Sequence, residues 1–220
     1  MNPARKARAA RRRSRRTLKW MVIVSAILVA TALFAVTFLC YSGTEPASNT
    51  PDEPVAFRDF TNHYMSIMQN LNSTVTKAEM ASQLDSSYNQ TDLFSWERTK
   101  LVFAQDAAGW FEDPTQILES GRGICVQWSI VYVSACLASG YQSRLVVAVD
   151  AVSWEFIHVW AEDYFNGGWV HVDPSDGVWD NPSRYQSWDW GSGIGSDVKI
   201  YAFEDGGFEE VTSNYARRSG

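Results

Sequence analysis

The chain has 220 residues, 45% of them hydrophobic and 14% aromatic, which suits one ordinary globular domain with an appendage and excludes a low-complexity chain. Its formal net charge of −6 averages two opposite objects. Residues 1–19 hold nine Lys/Arg and no acid, whereas beyond Tyr41 ten Lys/Arg face all twenty-five acids, a balance of −15 that disfavours nucleic acid as a partner of this later part.

Residues 20–41 are 22 uncharged residues directly behind the basic run. At about 1.5 Å per residue, a helix of that length crosses a hydrocarbon core of about 30 Å. Basic residues ahead of it place the N-terminus in the cytoplasm and the rest outside. A cleavable signal peptide has an apolar region of only about 7–15 residues, and Phe38 and Leu39 are bulky where a lipid-modified Cys40 wants small neighbours. The sequence therefore reads as a basic cytoplasmic tail (1–19), a single-pass membrane anchor (20–41), a linker rich in Pro, Ser, Thr and acid (42–54), and one extracytoplasmic domain (55–216).

Within that domain, Phe57, Phe60, Tyr64, Ile67, Met68 and Leu71 recur at helical spacing. Thr76-Lys77-Ala78-Glu79 has the form of a capping box opening a second helix through about Leu84. Residues 93–107, with Trp96, Leu101, Val102 and Phe103, read as a third. Asp113-Pro114 supplies an N-cap and a proline at the first helical position, predicting a short helix over 115–119. Gly121 and Gly123 loosen the backbone ahead of Cys125. Residues 125–138 then run apolar and small until Gly140, predicting a buried helix that starts at the cysteine. Beyond it the period becomes that of strands, over 144–150, 155–164, 169–172 and 198–203. Gly167-Gly168 marks one hairpin turn and Gly206-Gly207 a second, into 208–212. Helices first and antiparallel strands after predict an α+β domain.

Cys125 is the candidate nucleophile. A thiol at a helix start meets unpaired N–H groups and the positive end of the helix dipole, which favour the thiolate. It needs a base, and the base needs a third group to hold its tautomer. His63 falls in the first helix, while His158 and His171 lie on the two strands of one hairpin. With the turn near Asn166-Gly167, paired positions sum to an odd number. His158 then shares a face with Trp169, His171 and Asp173, and Asp173 stands opposite it or one diagonal away, about 5–8 Å at Cβ. Parity alone leaves both histidines available. The helix of Cys125 is expected to pack on this same face. Plain structural roles compete: a core cysteine, a satisfied strand histidine, and an Asp before Pro as a turn former. Cys125 and Cys136 would lie roughly 16 Å apart along one helix, too far for a disulfide.

Four local signatures resemble the transglutaminase-like, papain-type cysteine hydrolase superfamily, and most closely the catalytic core of peptide N-glycanases. They are Asp113-Pro114 through Leu118-Glu119 into Gly121-Arg122-Gly123; Cys125-x-Gln127-Trp128-Ser129; His158-Val159-Trp160-Ala161-Glu162; and Trp169-Val170-His171-Val172-Asp173-Pro174 continuing to Pro182. The resemblance covers residues 108–215 and implies N-terminal helices packed on an antiparallel sheet. It also implies Cys125 as nucleophile, His158 as general base and then acid, Asp173 as the group orienting His158, and a structural role for His171. The family's glutamate two residues after the nucleophile is Gln127 here, and the zinc-binding Cys-x-x-Cys pairs of eukaryotic peptide N-glycanases are absent from this chain. The expectation is a thiol enzyme attacking an amide through a thioester, acting as a hydrolase on a protein or peptide. Amine transfer, de-N-glycosylation and a catalytically idle binding module on the same scaffold are the alternatives. Trp96, Trp110, Trp128 and Trp160 are candidates to wall a substrate groove, with Gln127 a further contact beside the thiol. No metal-ligand constellation, P-loop or Rossmann loop stands in the sequence, so neither metal nor cofactor is expected.

Overall fold

Helix α1 (Val55–Asn72) buries Phe60, Tyr64, Ile67, Met68 and Leu71, the stripe its spacing predicts. The computed structural model describes residues 55–105, 111–182 and 198–215. The tail, anchor and linker expected over 1–54 lie outside those residues, as does Trp110. Among the described residues no helix is long and apolar enough to cross a membrane.

Two helix boundaries differ from the expectation. Helix α2 (Thr74–Ala81) opens at Ser73, whose Oγ accepts the Thr76 backbone N–H at 3.1 Å, so Thr76 lies inside the first turn and is not itself the cap. Helix α3 (Gln90–Glu97) is capped reciprocally by Asn89 and Asp92 and ends at Glu97. Val102–Phe103 beyond it form strand β1, paired in parallel with β2 (Arg122–Gly123). A β-branched and an aromatic residue find an extended partner just ahead of Cys125, and that pairing overrides the helical period. Helix α4 (Pro114–Ser120) is as expected: Asp113 Oδ1 accepts from the N–H groups of Thr115 and Gln116, and Gly121 at φ 64° ends it.

Helix α5 (Cys125–Ala138) starts at the cysteine, and every residue from Cys125 to Cys136 is buried. A helix apolar all round must be covered all round. One side meets α1 to α4, and the other meets a sheet of β3 (Ser143–Asp150), β4 (Phe156–Phe165), β5 (Gly168–Asp173), β6 (Val178–Trp179), β7 (Val198–Glu204) and β8 (Gly207–Glu210). The strands are antiparallel in the order β6-β5-β4-β3-β7-β8. The β4–β5 turn is the tight one expected, with Asn166 at φ 51°, Gly167 at φ 89° and Phe165 paired to Gly168. The domain is thus the α+β arrangement of helices on an antiparallel sheet.

The two faces of the sheet are both buried but differ. Leu145, Val147, Val149, Val159, Ala161 and Val172 join the core under α5. On the other face Val146, Ala148, Trp160, Ile200 and Ala202 pack with Val211 and with Tyr215 of the short helix α6 (Thr212–Tyr215). His158 belongs to this second face, where its ring stacks on Trp160 at 5.8 Å between centroids and 25° between planes. The expectation that α5 covers the imidazole face is therefore corrected. The ladder from β4 to β5 starts only at Ala161↔Val172, and a register irregularity in β4 lies on the far side of His158.

Candidate active site

Cys125 is the first residue of α5, placed there by a run of local requirements. Gly121 ends α4 in the left-handed region, and β1 holds Arg122 and Gly123 extended. Gly123 then has to be glycine: a Cβ there would stand 2.6 Å from Gln127 Cβ. The Gln127 side chain folds back over it, and its Oε1 accepts the Ile124 N–H at 3.0 Å. This bond satisfies one of the orphan donors at the helix start with a side chain from the third helical position. Gln127 is only 4% exposed, so this residue is a buried cap of the helix that Cys125 opens.

His158 and Asp173 meet as the hairpin parity predicts. The β4–β5 register puts even-numbered positions opposite odd ones, and Asp173 Oδ2 lies 2.7 Å from His158 Nε2. An ionised carboxylate only accepts, so Nε2–H donates and Nδ1 is the nitrogen that can exchange a proton with a thiol. The other oxygen of Asp173, Oδ1, accepts from Ser175 Oγ at 2.8 Å and from the Asp176 N–H at 3.0 Å. Arg98 ties down the same loop by donating to the Pro174 carbonyl at 3.1 Å. Burial works against charge on both members of the pair, yet their mutual hydrogen bond and attraction outweigh it. Asp173 is held down at about 2, with help from Ser175 and Asp176. The His158 imidazole is raised to about 9, chiefly by Asp173, and the neighbouring Cys125 contributes in the same direction.

His171 takes no part in this pairing. It is buried, and burial lowers its pKa to about 4, leaving the ring neutral beside Trp160 and Tyr215. His63 sits on α1 with Nε2 3.5 Å from Glu112 Oε1.

Of the tryptophan candidates, Trp96, Trp128 and Trp160 do not line the cavity beside the first turn of α5. Trp160 is fully buried and donates its indole N–H to Tyr215 Oη at 3.0 Å. Tyr215 donates in turn to Glu162, whose other oxygen accepts from Arg144 Nε at 2.7 Å. The ring against which His158 stacks is thus fixed by a buried chain of polar contacts. Trp128 is 4% exposed and belongs to the core under α5. Trp96 borders a separate hollow with Gln83 and Lys100. The opening beside the first turn of α5 is a cavity of about 540 Å³ lined instead by Phe60, Tyr64, Val126, Gln127, Trp154 and Phe156. Only Gln127 of these was a sequence-derived site candidate. The signal for the others was the apolar spacing of Trp154, Phe156 and Ile157 just ahead of His158, which reads as ordinary strand until Phe156 and Ile157 prove partly exposed.

Residues 72–174 match the family model described as the transglutaminase-like superfamily. The peptide-N(4)-(N-acetyl-beta-glucosaminyl)asparagine amidase of Oryza sativa is 36% identical over 78 residues, covering 34% of this chain and 16% of that protein. Its counterpart in Arabidopsis thaliana is 29% identical over 110 residues, 49% of this chain and 14% of that one. In Yarrowia lipolytica the figures are 27% over 111 residues, 50% and 28%. The chain spans less than a third of the length of these relatives. Among solved structures, a chain of the Rad4/XPC nucleotide excision repair complex superposes with a TM-score of 0.51 at 12% identity, over 79% of this chain and 52% of that one, a likeness of fold alone. Over residues 72–174 the chain is similar to the transglutaminase-like superfamily, and its similarity runs toward the peptide N-glycanases.

Proposed function

We propose that the domain is a thiol hydrolase of amide bonds, with Cys125 as nucleophile, His158 as proton carrier and Asp173 as the group that orients it. The observation that carries this reading is His158 held at 2.7 Å by a buried carboxylate while it interacts electrostatically with a cysteine at a helix start. The thiolate of Cys125 adds to the amide carbon, forming the C–S bond and an oxyanion that backbone N–H groups at the start of α5 stabilise. Collapse of the oxyanion breaks the C–N bond, and the imidazolium of His158 gives its proton to the leaving amine. The neutral imidazole then takes a proton from water, whose oxygen attacks the thioester and breaks the C–S bond, restoring the thiol. The amidase activity by which the relatives are named favours a second reading, in which the amide attacked is the side chain of a glycosylated asparagine.

The test is alkylation of Cys125 by iodoacetamide in the full chain, with Cys125→Ala assayed on peptide and glycopeptide amides. Alkylation at neutral pH faster than a free thiol, with complete loss of turnover in Cys125→Ala, is expected; a rate no faster than a free thiol, or retained turnover, sinks the mechanism.

The uncharged run at 20–41 and the basic run ahead of it support a single-pass protein with this domain on the extracytoplasmic side. Protease added to intact cells should therefore digest the domain, and digestion only after lysis would reverse the topology.

A further inference from the structure

Two polar groups in the cavity beside the thiol have no hydrogen-bond partner among the described residues. Gln127 commits Oε1 to the Ile124 N–H, so the opposite end of the carboxamide, Nε2, is a pure donor, and it donates to no group among the described residues. Tyr64 is likewise only 4% exposed, and its hydroxyl makes no hydrogen bond among the described residues. Burial, with the charges of Cys125 and Glu112 behind it, raises its pKa, so the hydroxyl keeps its proton and remains a donor. Both residues line the cavity, and both are more than nine-tenths buried. Phe60, Trp154, Phe156 and Val126 supply the apolar part of the wall, and His63, Glu112, Ser153 and Glu155 line the rest. Trp154 is held there at φ 60°, an unusual conformation for a residue with a side chain, with its ring 4.6 Å from that of Phe57.

Two donors with no acceptor among the described residues, set beside the aromatic side of the cavity and the thiol's helix, fit carbonyl oxygens attached to an apolar group. Resting on the thiol-hydrolase reading above, we propose that this cavity is the substrate subsite next to the scissile amide. It takes a large apolar or aromatic side chain of an extended peptide, while Gln127 Nε2 and Tyr64 Oη donate to the peptide's carbonyl oxygens. A glutamate at position 127 accepts the Ile124 N–H equally well but has no donor to offer, so the glutamine makes this chain's site a carbonyl-binding one.

The distinction is also the test. Peptidyl aldehydes add reversibly to a cysteine thiol, and two are compared on the full chain: one ending in phenylalaninal, one in glycinal. The phenylalaninal peptide should bind tighter by about 10-fold or more, the worth of burying an aromatic ring. Phe156→Ala, at a partly exposed position, should erase that preference. Gln127→Glu keeps the helix cap and Tyr64→Phe keeps the ring packing, and each should weaken the aldehyde by about 10-fold, the cost of one hydrogen bond beside a charged centre. Their thermal midpoints should stay near wild type, which a purely structural role for the amide or the hydroxyl would not allow alongside that loss.

Iodoacetamide alkylation of Cys125, read on its high-pH plateau, serves as the control because the reagent does not use the cavity. Rapid alkylation with equal affinity for the two aldehydes, or with affinity unchanged by both polar substitutions, overturns the subsite. Displacement of the aldehyde by an N-acetylglucosamine disaccharide at lower concentration than by acetyl-phenylalanine amide overturns it too, assigning the cavity to sugar. Slow alkylation overturns the thiol-hydrolase reading itself.

Discussion

Helix α5 carries a cysteine at each end, and both are buried with free thiols. Cys125 looks out of the first turn at an imidazole raised to about 9. Cys136, in the last turn, points at a carboxylate: its Sγ donates to Asp163 Oδ2 at 3.7 Å, where Tyr132 Oη also donates at 2.5 Å. Burial, and then the negative neighbour Asp163, push the Cys136 thiol well up, so it stays protonated. The two thiols share a helix and a degree of burial, and differ in the sign of the charge that faces them. Burial alone therefore does not separate a core cysteine from a nucleophile; the neighbouring charge does, together with the end of the helix dipole it sits on.

The comparison breaks most visibly when the charge behind the imidazole is removed. Asp173→Asn keeps the side chain's shape but removes its charge and turns one of its two accepting oxygens into an amide donor, and turnover is expected to fall on the order of 10⁴-fold, as in other triads. Its pH profile should move in a defined direction. Under the proposed mechanism the wild-type imidazolium protonates the leaving amine and persists until about pH 9, so turnover should decline as pH rises through that value. Without the carboxylate, burial is the chief remaining influence, and it lowers the imidazole pKa; the alkaline limb should shift toward acid. A pH–rate profile of Asp173→Asn with its alkaline limb unmoved would mean that His158 is not the group titrating. Stability carries the same signs. The raised His158 pKa contributes stability that is complete below its ordinary 6.5 and is lost as pH climbs through about 9. The depressed Asp173 pKa contributes stability present above its ordinary 3.8 and lost as pH falls toward about 2.

How far these contrasts were legible in the sequence depends on how local their causes are. The start of α5 at Cys125, its end before Gly140 and the Asn166-Gly167 turn depend on neighbours in the chain, and each lies where the residues place it. The His158–Asp173 pair was legible too, since parity across a two-residue turn is arithmetic. What the sequence did not disclose was tertiary. Residues 98–103 keep an apolar rhythm that reads as helix, but Val102 and Phe103 have a strand partner some twenty residues on that no local pattern reveals. Whether α5 lies over the His158 face or the Val159 face is a choice between two apolar surfaces, since β4 is buried on both. Trp160 reads as a wall of the site by its place beside the base, and only the Tyr215–Glu162–Arg144 contacts, assembled from three distant segments, explain why it is inside.

The smallest expected effect tests the other end of α5. Cys136→Ala removes a sulfur from a buried site and one weak donor from Asp163, but Tyr132 Oη still donates to the same oxygen. No buried acceptor is newly stranded, so the cost is that of a small cavity, about 1 kcal/mol in denaturant titration. Turnover should stay within about twofold of wild type, because an inert core thiol is separated from the reaction by the whole length of the helix. Iodoacetamide should label the variant at Cys125 with undiminished rate. Should Cys136→Ala instead lower turnover as far as Asp173→Asn does, the two ends of α5 would be coupled. The division between a working thiol and a structural one would then fail, because the charge facing each cysteine would no longer account for its behaviour.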